Sequence, residues 1–166
     1  MTKIIDGKEF AQKIRNQVKE DSDNLFKNKE VQPCLAVVLV GENPASKVYV
    51  GAKTKMAAEC NIKTKDFKME DTTDQATLLK VIDELNNDSS VHGILVQLPL
   101  PKQIDERAVI DAIDVKKDVD GFHAINAGRL SIGGEMLKQA FIPCTPVGSL
   151  LLLKDTIPNL SGLNAV

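Results

Sequence analysis

Aromatic and metal-binding residues are scarce in this sequence. The 166 residues include no tryptophan, and Tyr49 is the only tyrosine. There are two histidines and three cysteines, Cys34, Cys60 and Cys144, which are widely spaced and form no C-x-x-C pair. These numbers argue against a zinc site and a disulfide framework, and they favour free thiols in a cytoplasmic protein. We therefore expect no metal centre in this chain.

Long apolar runs and an excess of one charge are also missing. No run approaches the roughly 18 residues that a membrane span needs, and charged residues interrupt the N-terminus too early for a signal peptide. The net charge is −2 and the pI is about 5.7, so we expect neither a nucleic-acid partner nor a membrane surface. The motifs G-x-G-x-x-G, G-x-x-x-x-G-K-[ST] and G-x-S-x-G do not occur. Their absence argues against a nucleotide phosphate cradle and a serine-hydrolase elbow.

What the sequence does contain is an alternation of helices and strands. Residues 6–29 carry apolar side chains at helical spacing, and residues 35–40 form a continuous β-branched-rich run typical of a strand buried on both faces. A helix with Tyr49 and Lys53, a polar strand at 63–69, a helix from about Asp74 to Asn87 and a strand at 92–98 follow. This order predicts an α/β fold, with a three-layer, open, mostly parallel sheet and helices on both faces.

The last third of the chain has a less regular pattern. We expect a short helix near residues 105–113, then loop-like or weakly extended chain up to about Ile142. Thr145 is the expected N-cap of a further helix, with Pro146 at its first position. Residues 160–166 have the pattern of the beginning of another strand.

Four side chains are candidates for chemistry. Tyr49 and Lys53 lie four positions apart, on one face of a helix that follows a strand, where open α/β sheets usually hold their ligands. Gln97 interrupts an apolar strand near its end, and a buried amide there could orient Lys53 without an ion pair. Asp120 lies in a tight D-V-D-G turn, where it is either a turn former or an acceptor for the N–H groups of a heterocycle.

Pattern alone leaves plainer alternatives open for these residues. Lys53 could also be a solvated surface lysine, and Tyr49 could fill the edge of the core. His123 and Cys144 lie in predicted loops with no evident base or ligand partner, and we interpret them as non-catalytic.

Four motifs taken together resemble one family, the bifunctional methylenetetrahydrofolate dehydrogenase/methenyltetrahydrofolate cyclohydrolases. The order and the spacing of the motifs match over essentially the whole chain. The motifs are G-x-x-x-A-S-x-x-Y-V-x-x-K from Gly41 to Lys53, G-I-L-V-Q-L-P-L-P from Gly93 to Pro101, K-D-V-D-G-F from Lys117 with N-x-G-x-L from Asn126, and P-C-T-P-x-G from Pro143 to Gly148.

The resemblance implies a role for each matching residue. Lys53 would be the key catalytic group, which assists proton transfer and water activation, and Gln97 would hold it in position and keep it unprotonated. Tyr49 would stack on the aminobenzoyl ring of the folate, and Asp120 would hydrogen-bond the pterin. The walls of the folate cleft would include Val96, Leu98 and Pro99.

The resemblance also implies a two-step activity in one-carbon metabolism. NADP (NAD in some members) oxidises 5,10-methylenetetrahydrofolate to 5,10-methenyltetrahydrofolate, which is then hydrolysed to 10-formyltetrahydrofolate. Members of the family continue into a Rossmann-type domain that binds NADP, and they are usually homodimers. We expect residues 1–159 to be the folate-binding catalytic domain and residues 160–166 to be the start of the first strand of that nucleotide domain. The 166-residue chain alone is then expected to bind no NADP and to lack dehydrogenase activity.

Two other interpretations stay open at this point. A truncated, non-catalytic remnant that binds only folate or a partner subunit would carry the same residues. The N-terminal domain of a related amino-acid dehydrogenase shares the fold class by analogy only, and the joint presence of Tyr49, Lys53, Gln97 and Asp120 argues against it.

Overall fold

Three parallel strands form the sheet of this protein, in a computed structural model that describes residues 4–164. The strands are β1 (Cys34–Val40), β2 (Lys63–Met69) and β3 (Gly93–Val96), and their order in the sheet is β2-β1-β3. Cys34 lies opposite Lys63 in the register with β2, and Leu35 lies opposite Gly93 in the register with β3. The strand with the most continuous apolar run, β1, is the central one, and its apolar run fits the predicted burial on both faces.

Seven helices are present among the described residues. They are α1 (Gly7–Lys29), α2 (Pro44–Glu59), α3 (Gln75–Asn87), α4 (Glu106–Ala112), α5 (Ala124–Ile132), α6 (Gly134–Leu137) and α7 (Cys144–Thr156). Side-chain caps fix where several of them begin. The carboxylates of Asp6, Asp74 and Asp105 accept backbone N–H groups at the starts of α1, α3 and α4, and Asn43 does the same for α2.

The two faces of β1 pack against different helices. Ala36, Val38 and Val40 belong to the main apolar core, which also holds residues of α3 and α4. Val37 and Leu39 belong to a smaller apolar cluster that includes Val50 of α2. Helices therefore cover both faces of the sheet, and the predicted three-layer α/β architecture is confirmed.

The chain from residue 124 to 137 departs from the prediction of loop or weakly extended structure. It forms α5 and α6, which meet at Gly133, where the backbone has a φ of 72°. The Nδ1 atom of His123 accepts the N–H of Ile125 and so caps α5, and the side chain of Asn126 anchors the helix in the interior. Histidine is an uncommon cap and Asn126 is a tertiary contact, so neither was visible as a helix signal.

Two smaller predictions about element ends were also wrong. Thr145 is not an N-cap, because α7 begins one residue earlier at Cys144 and Pro143 occupies the cap position without a side-chain bond. The third strand is shorter than residues 92–98, because it ends at Val96 and the side chain of Gln97 then bonds the carbonyl of Leu98.

The predicted strand at residues 160–166 is not seen in its described part. Residues 160–164 form a turn and irregular chain, and residues 165 and 166 lie outside the described range. The proposed domain boundary near residue 160 stays a prediction. Within residues 4–164, no helix combines the length and the apolar character that crossing a membrane would require.

Candidate active site beside Lys53

An open cavity of about 530 Å³ lies between α2 and the face of the sheet that α2 covers. Its wall is mainly apolar and includes Leu35, Met56 and Leu95, and its polar rim includes Lys53 and Asp120. A cavity of this size, with a few convergent polar groups above an apolar wall, is typical of a small-molecule site.

Lys53 also contacts Gln97, which is not among the described residues that line this cavity. The Lys53 Nζ atom donates a hydrogen bond to Gln97 Oε1 at 3.2 Å. Gln97 is itself fixed, because its backbone N–H donates to the carbonyl of Val38 at 2.8 Å and its side-chain Nε2 donates to the carbonyl of Leu98 at 2.7 Å. The amide oxygen therefore faces the lysine, and it holds the amine with a neutral acceptor instead of a carboxylate.

Asp120 lies on the same cavity as Lys53 and is largely withdrawn from solvent. Burial raises the pKa of its carboxyl above the ordinary value, the Lys53 charge opposes this by lowering it, and the Asp118 charge raises it further. Burial is the largest of these effects, since removing a carboxylate from water disfavours its charged form.

The structure also distinguishes between the two roles that the D-V-D-G pattern left open for Asp120. The turn is formed by Asp118, whose carboxylate accepts the N–H groups of Gly121 at 3.1 Å and His123 at 2.9 Å. The raised pKa of Asp120 has no contribution from a hydrogen bond between its carboxyl and another of the described residues. The Asp120 side chain is therefore available to a ligand, as the second interpretation requires.

Tyr49 lies on α2, one helical turn before Lys53, as predicted. Its side chain is 59% exposed, and it is not among the described residues that line the 530 Å³ cavity. The structure therefore places Tyr49 on the same helix as Lys53, exposed to solvent and outside the cavity lining. Its role in stacking on a ligand stays a prediction.

The predicted cleft residues at the end of β3 are divided between core and surface. Val96 is buried in the main core, on the face of the sheet that α3 and α4 cover. Leu98 is half-buried and lies with Val96 and Asp120 around a very small cavity of about 10 Å³. Pro99 is exposed and follows a cis peptide bond. Of the three, Leu98 and Pro99 are at least partly exposed, and none of the three is among the described residues that line the 530 Å³ cavity.

A second, larger cavity of about 620 Å³ lies on the other flank of α2. It contains none of the predicted site residues, and its lining mixes acidic and basic side chains, including Glu42, Lys55 and Asp66. We assign the candidate site to the smaller cavity because only there do an oriented amine and a perturbed carboxyl adjoin an apolar wall.

Sequence reasoning missed Asp118 and Gly93 as residues that shape the site. Asp118 is 1% exposed, and its position two residues before Asp120 was the one available signal. Gly93 packs against the loop that carries Val119 and Asp120, because a Cβ atom at residue 93 would be 2.5 Å from Cγ1 of Val119. A glycine at the first position of a buried strand is the corresponding sequence signal of close approach.

These observations define a class of protein. The fold is an α/β domain whose sheet presents, on one side, an amine held by a neutral amide and a carboxyl with a raised pKa above an apolar cavity. Such a set suits proton transfer to or from a flat, largely apolar ligand with polar edges.

Comparison with known proteins identifies the family. The sequence profile described as "Tetrahydrofolate dehydrogenase/cyclohydrolase, catalytic domain" matches residues 5–120. The chain is 48% identical over 163 residues to the bifunctional protein FolD of Zymomonas mobilis, covering 98% of this chain and 54% of that protein. It is 51% identical over 164 residues to the bifunctional protein FolD of Paramagnetospirillum magneticum, covering 99% and 54%. The chain belongs to the tetrahydrofolate dehydrogenase/cyclohydrolase family.

Solved structures give the same result. The bifunctional FolD enzyme of Campylobacter jejuni superposes with a TM-score of 0.88 at 47% identity, covering 93% of this chain and 53% of that chain. The Trypanosoma brucei dehydrogenase-cyclohydrolase, solved with NADP cofactor and inhibitor, superposes with a TM-score of 0.86 at 28% identity, covering 93% and 52%. The chain thus spans about half the length of the relatives that it matches.

The turn after β1 does not have the pattern of a dinucleotide-binding turn. A dinucleotide fold places a G-x-G-x-x-G turn after its first strand, whereas β1 here is followed by Gly41, Glu42 and Asn43. The Asp71 carboxylate also occupies the space beside Gly41, since a Cβ atom there would lie 2.6 Å from Asp71 Oδ1. Two carboxylates at this turn disfavour a pyrophosphate, and we assign no hydride transfer to these residues.

Proposed function

We propose that this chain supplies the folate site and the catalytic lysine of a methylenetetrahydrofolate dehydrogenase/methenyltetrahydrofolate cyclohydrolase. The whole protein would oxidise 5,10-methylenetetrahydrofolate with NADP and hydrolyse the 5,10-methenyl product to 10-formyltetrahydrofolate. Residues 1–159 form the folate-binding catalytic domain in this proposal, and NADP is bound elsewhere, by a nucleotide domain that begins near residue 160. The intact protein would be a cytoplasmic homodimer.

Lys53 has the central role in the hydrolytic step. Water adds to the carbon between N5 and N10 of the methenyl cation, and a base must take a proton from that water before the ring opens. A neutral amine can accept this proton and does not repel the cation, whereas an ammonium group would fail in both respects. A neutral Gln97 partner suits this requirement better than a carboxylate would, because an ion pair stabilises the protonated lysine.

The other site residues hold the substrate in this proposal. Asp120 accepts hydrogen bonds from N–H groups of the pterin and fixes its orientation above the apolar wall. Tyr49 stacks on the aminobenzoyl ring, and its exposure leaves it free to meet a ligand. Leu98 and Pro99 contribute to the wall of the cleft.

The contact between Lys53 Nζ and Gln97 Oε1 is the observation that carries the proposal. The test is hydrolysis of 5,10-methenyltetrahydrofolate, followed by its absorbance, in a chimera where this chain replaces the matching half of the Campylobacter jejuni enzyme. We expect Lys53→Met to lower the rate by about 100-fold or more, the usual size of a general acid–base contribution. Lys55→Met, the same change two residues along α2, is the control and should retain the rate. Equal rates for the two variants would refute the role of Lys53.

A further inference from the structure

The carboxylate of Asp118 is buried and fully engaged with backbone and amide donors. Its Oδ1 atom accepts the N–H groups of Gly121 at 3.1 Å and Phe122 at 3.4 Å. Its Oδ2 atom accepts the N–H of His123 at 2.9 Å and the side-chain Nδ2 of Asn126 at 2.9 Å. Burying a carboxylate is costly unless hydrogen-bond donors surround it. The donors around Asp118 offset this cost.

Asn126 connects this carboxylate to two further parts of the chain. Its side chain is 0% exposed, and its Nδ2 also donates to the carbonyl of Val115 at 3.2 Å. Its Oδ1 accepts the N–H of Phe141 at 3.3 Å. The pair of Asp118 and Asn126 therefore fixes the loop before Asp120, the helix α5 after it and the segment that leads to α7.

The loop is anchored to the sheet on its other side. Asp118 forms a parallel bridge with Ile94 of β3, and the N–H of Ile94 donates to the carbonyl of Lys117 at 2.7 Å. Gly121 has a φ of 70°, and a Cβ atom there would lie 2.6 Å from the carbonyl oxygen of Phe141. The backbone on both sides of Asp120 is thus held, while the Asp120 side chain remains in the cavity with Lys53.

We propose that Asp118 is a positioning residue whose buried, hydrogen-bonded carboxylate holds the turn of residues 118–123 so that Asp120 faces Lys53. Asp118 does not itself touch the ligand. Its effect on Asp120 rests on the geometry of the turn, and only the consequence for folate recognition rests on the proposed function.

The charges around Asp120 allow a test that separates this positioning role from a purely structural role. Asp120 is faced by Lys53 from α2 and by Asp118 from its own loop, and the Asp118 charge contributes to the raised pKa of the Asp120 carboxyl. Replacing Asp118 by asparagine removes that charge and sets an N–H₂ group against the donors of His123 and Asn126. Loss of the Asp118 charge lowers the pKa of Asp120, whereas a loosened turn would move Asp120 away from Lys53 and so weaken the lowering effect of the Lys53 charge.

The experiment titrates the side-chain carboxyl carbon of Asp120 by ¹³C NMR in the 166-residue chain without ligand. In the wild-type background Lys53→Met should raise the Asp120 midpoint, because the Lys53 charge lowers that pKa, and in the Asp118→Asn background the same change should raise it less. The control background is Asp114→Asn, which alters an exposed carboxylate that caps the N–H of Lys116, and there Lys53→Met should act as in the wild type. An equal effect of Lys53→Met in the wild-type background and in a folded Asp118→Asn background overturns the proposal.

A second measurement decides the matter if Asp118→Asn does not fold. Amide hydrogen exchange of Gly121 and His123 in the wild-type chain should be slowed about 100-fold or more relative to an unstructured peptide, since both N–H groups are bound by the carboxylate. Unprotected exchange at both amides overturns the proposal. Because neither readout uses folate, a positive result together with equal hydrolysis rates for Lys53→Met and Lys55→Met in the chimera would refute the proposed function and leave the positioning role intact.

Discussion

Gly93 opens β3 directly below the loop that carries Asp120, and its replacement by alanine is a sharp test of the packing there. A Cβ atom at residue 93 would lie 2.5 Å from Cγ1 of Val119 and 3.5 Å from Cδ1 of Leu35. Val119 cannot withdraw easily, because its methyl group is attached directly to Cβ, and the Val119 N–H is bound to the carbonyl of Lys117 at 2.9 Å.

The expected magnitude follows from two opposing effects. The contact with Val119 is about 1 Å shorter than the 3.5–4.0 Å that carbon atoms prefer, and such overpacking typically costs about 1–3 kcal/mol. Alanine restricts the unfolded chain more than glycine does, which returns about 0.5–1 kcal/mol. We expect Gly93→Ala to lower the free energy of unfolding by about 0.5–2 kcal/mol, because the steric effect is the larger one.

The free energy of unfolding is measured in urea for four proteins: the wild type, Gly93→Ala, Val119→Ala and the double variant. Truncating Val119 removes the clashing methyl, so Gly93→Ala should cost less in that background, with a coupling of about 0.5–2 kcal/mol. Gly51→Ala is the control, since nothing lies within 4 Å of a Cβ atom there and alanine is favoured inside α2 by about 0.5–1 kcal/mol. A Gly93→Ala variant as stable as the wild type would refute the close approach of Val119 to β3.

Two further predictions concern charged groups at the end of α3. Lys117 Nζ donates to the carbonyls of Leu85, Asn86 and Asp88 at 2.8–2.9 Å. Lys117→Met should therefore lower the free energy of unfolding by about 1–3 kcal/mol, whereas the exposed Lys116→Met should change it little; equal effects in urea unfolding would contradict this. The Lys65 ammonium, with help from Ser90, holds the pKa of the Asp88 carboxyl well below its usual range. Asp88→Asn should thus destabilise the protein most above about pH 5, and the difference should shrink as the pH falls through and below the ordinary value near 4. A pH-independent difference would contradict the pairing.

The sequence predicted the sheet and its helices well where local pattern and tertiary packing agree. The apolar run of β1 indicated a strand buried on both faces, the helical spacing indicated α1, and the residues up to Asp74 marked the start of α3. Residues 124–137 were different, because Gly128, Gly133 and Gly134 weaken the helical pattern. The structure caps α5 with His123 and anchors it by the buried Asn126, whose side chain binds Asp118, and neither interaction is part of a helical apolar pattern.

The sequence pointed to the region of the candidate site, but not to how its residues divide their roles. The spacing of Tyr49 and Lys53 and the strand-end position of Gln97 pointed to one edge of the sheet, and the structure joins Lys53 with Gln97 there. Either aspartate of the D-V-D-G turn could form the turn on local grounds. The choice is made by donors outside the motif, the N–H of His123 and the amide of Asn126, which bind Asp118 and leave Asp120 to the cavity.

The central claim is that the ligand binds on the Lys53 side of α2 and not in the larger cavity on the other flank. An NMR titration of the chain with 5-formyltetrahydrofolate tests this most directly. The reporters of the Lys53 side are the backbone amide of Asp120, which lines that cavity, and the side-chain amide of Gln97, which binds Lys53. The backbone amides of Asp66 and Lys68 are the reporters of the other cavity. We expect shifts at Gln97 and at the backbone amide of Asp120, with Asp66 and Lys68 unchanged. Shifts confined to Asp66 and Lys68, or none at Gln97 and Asp120, would contradict the assignment.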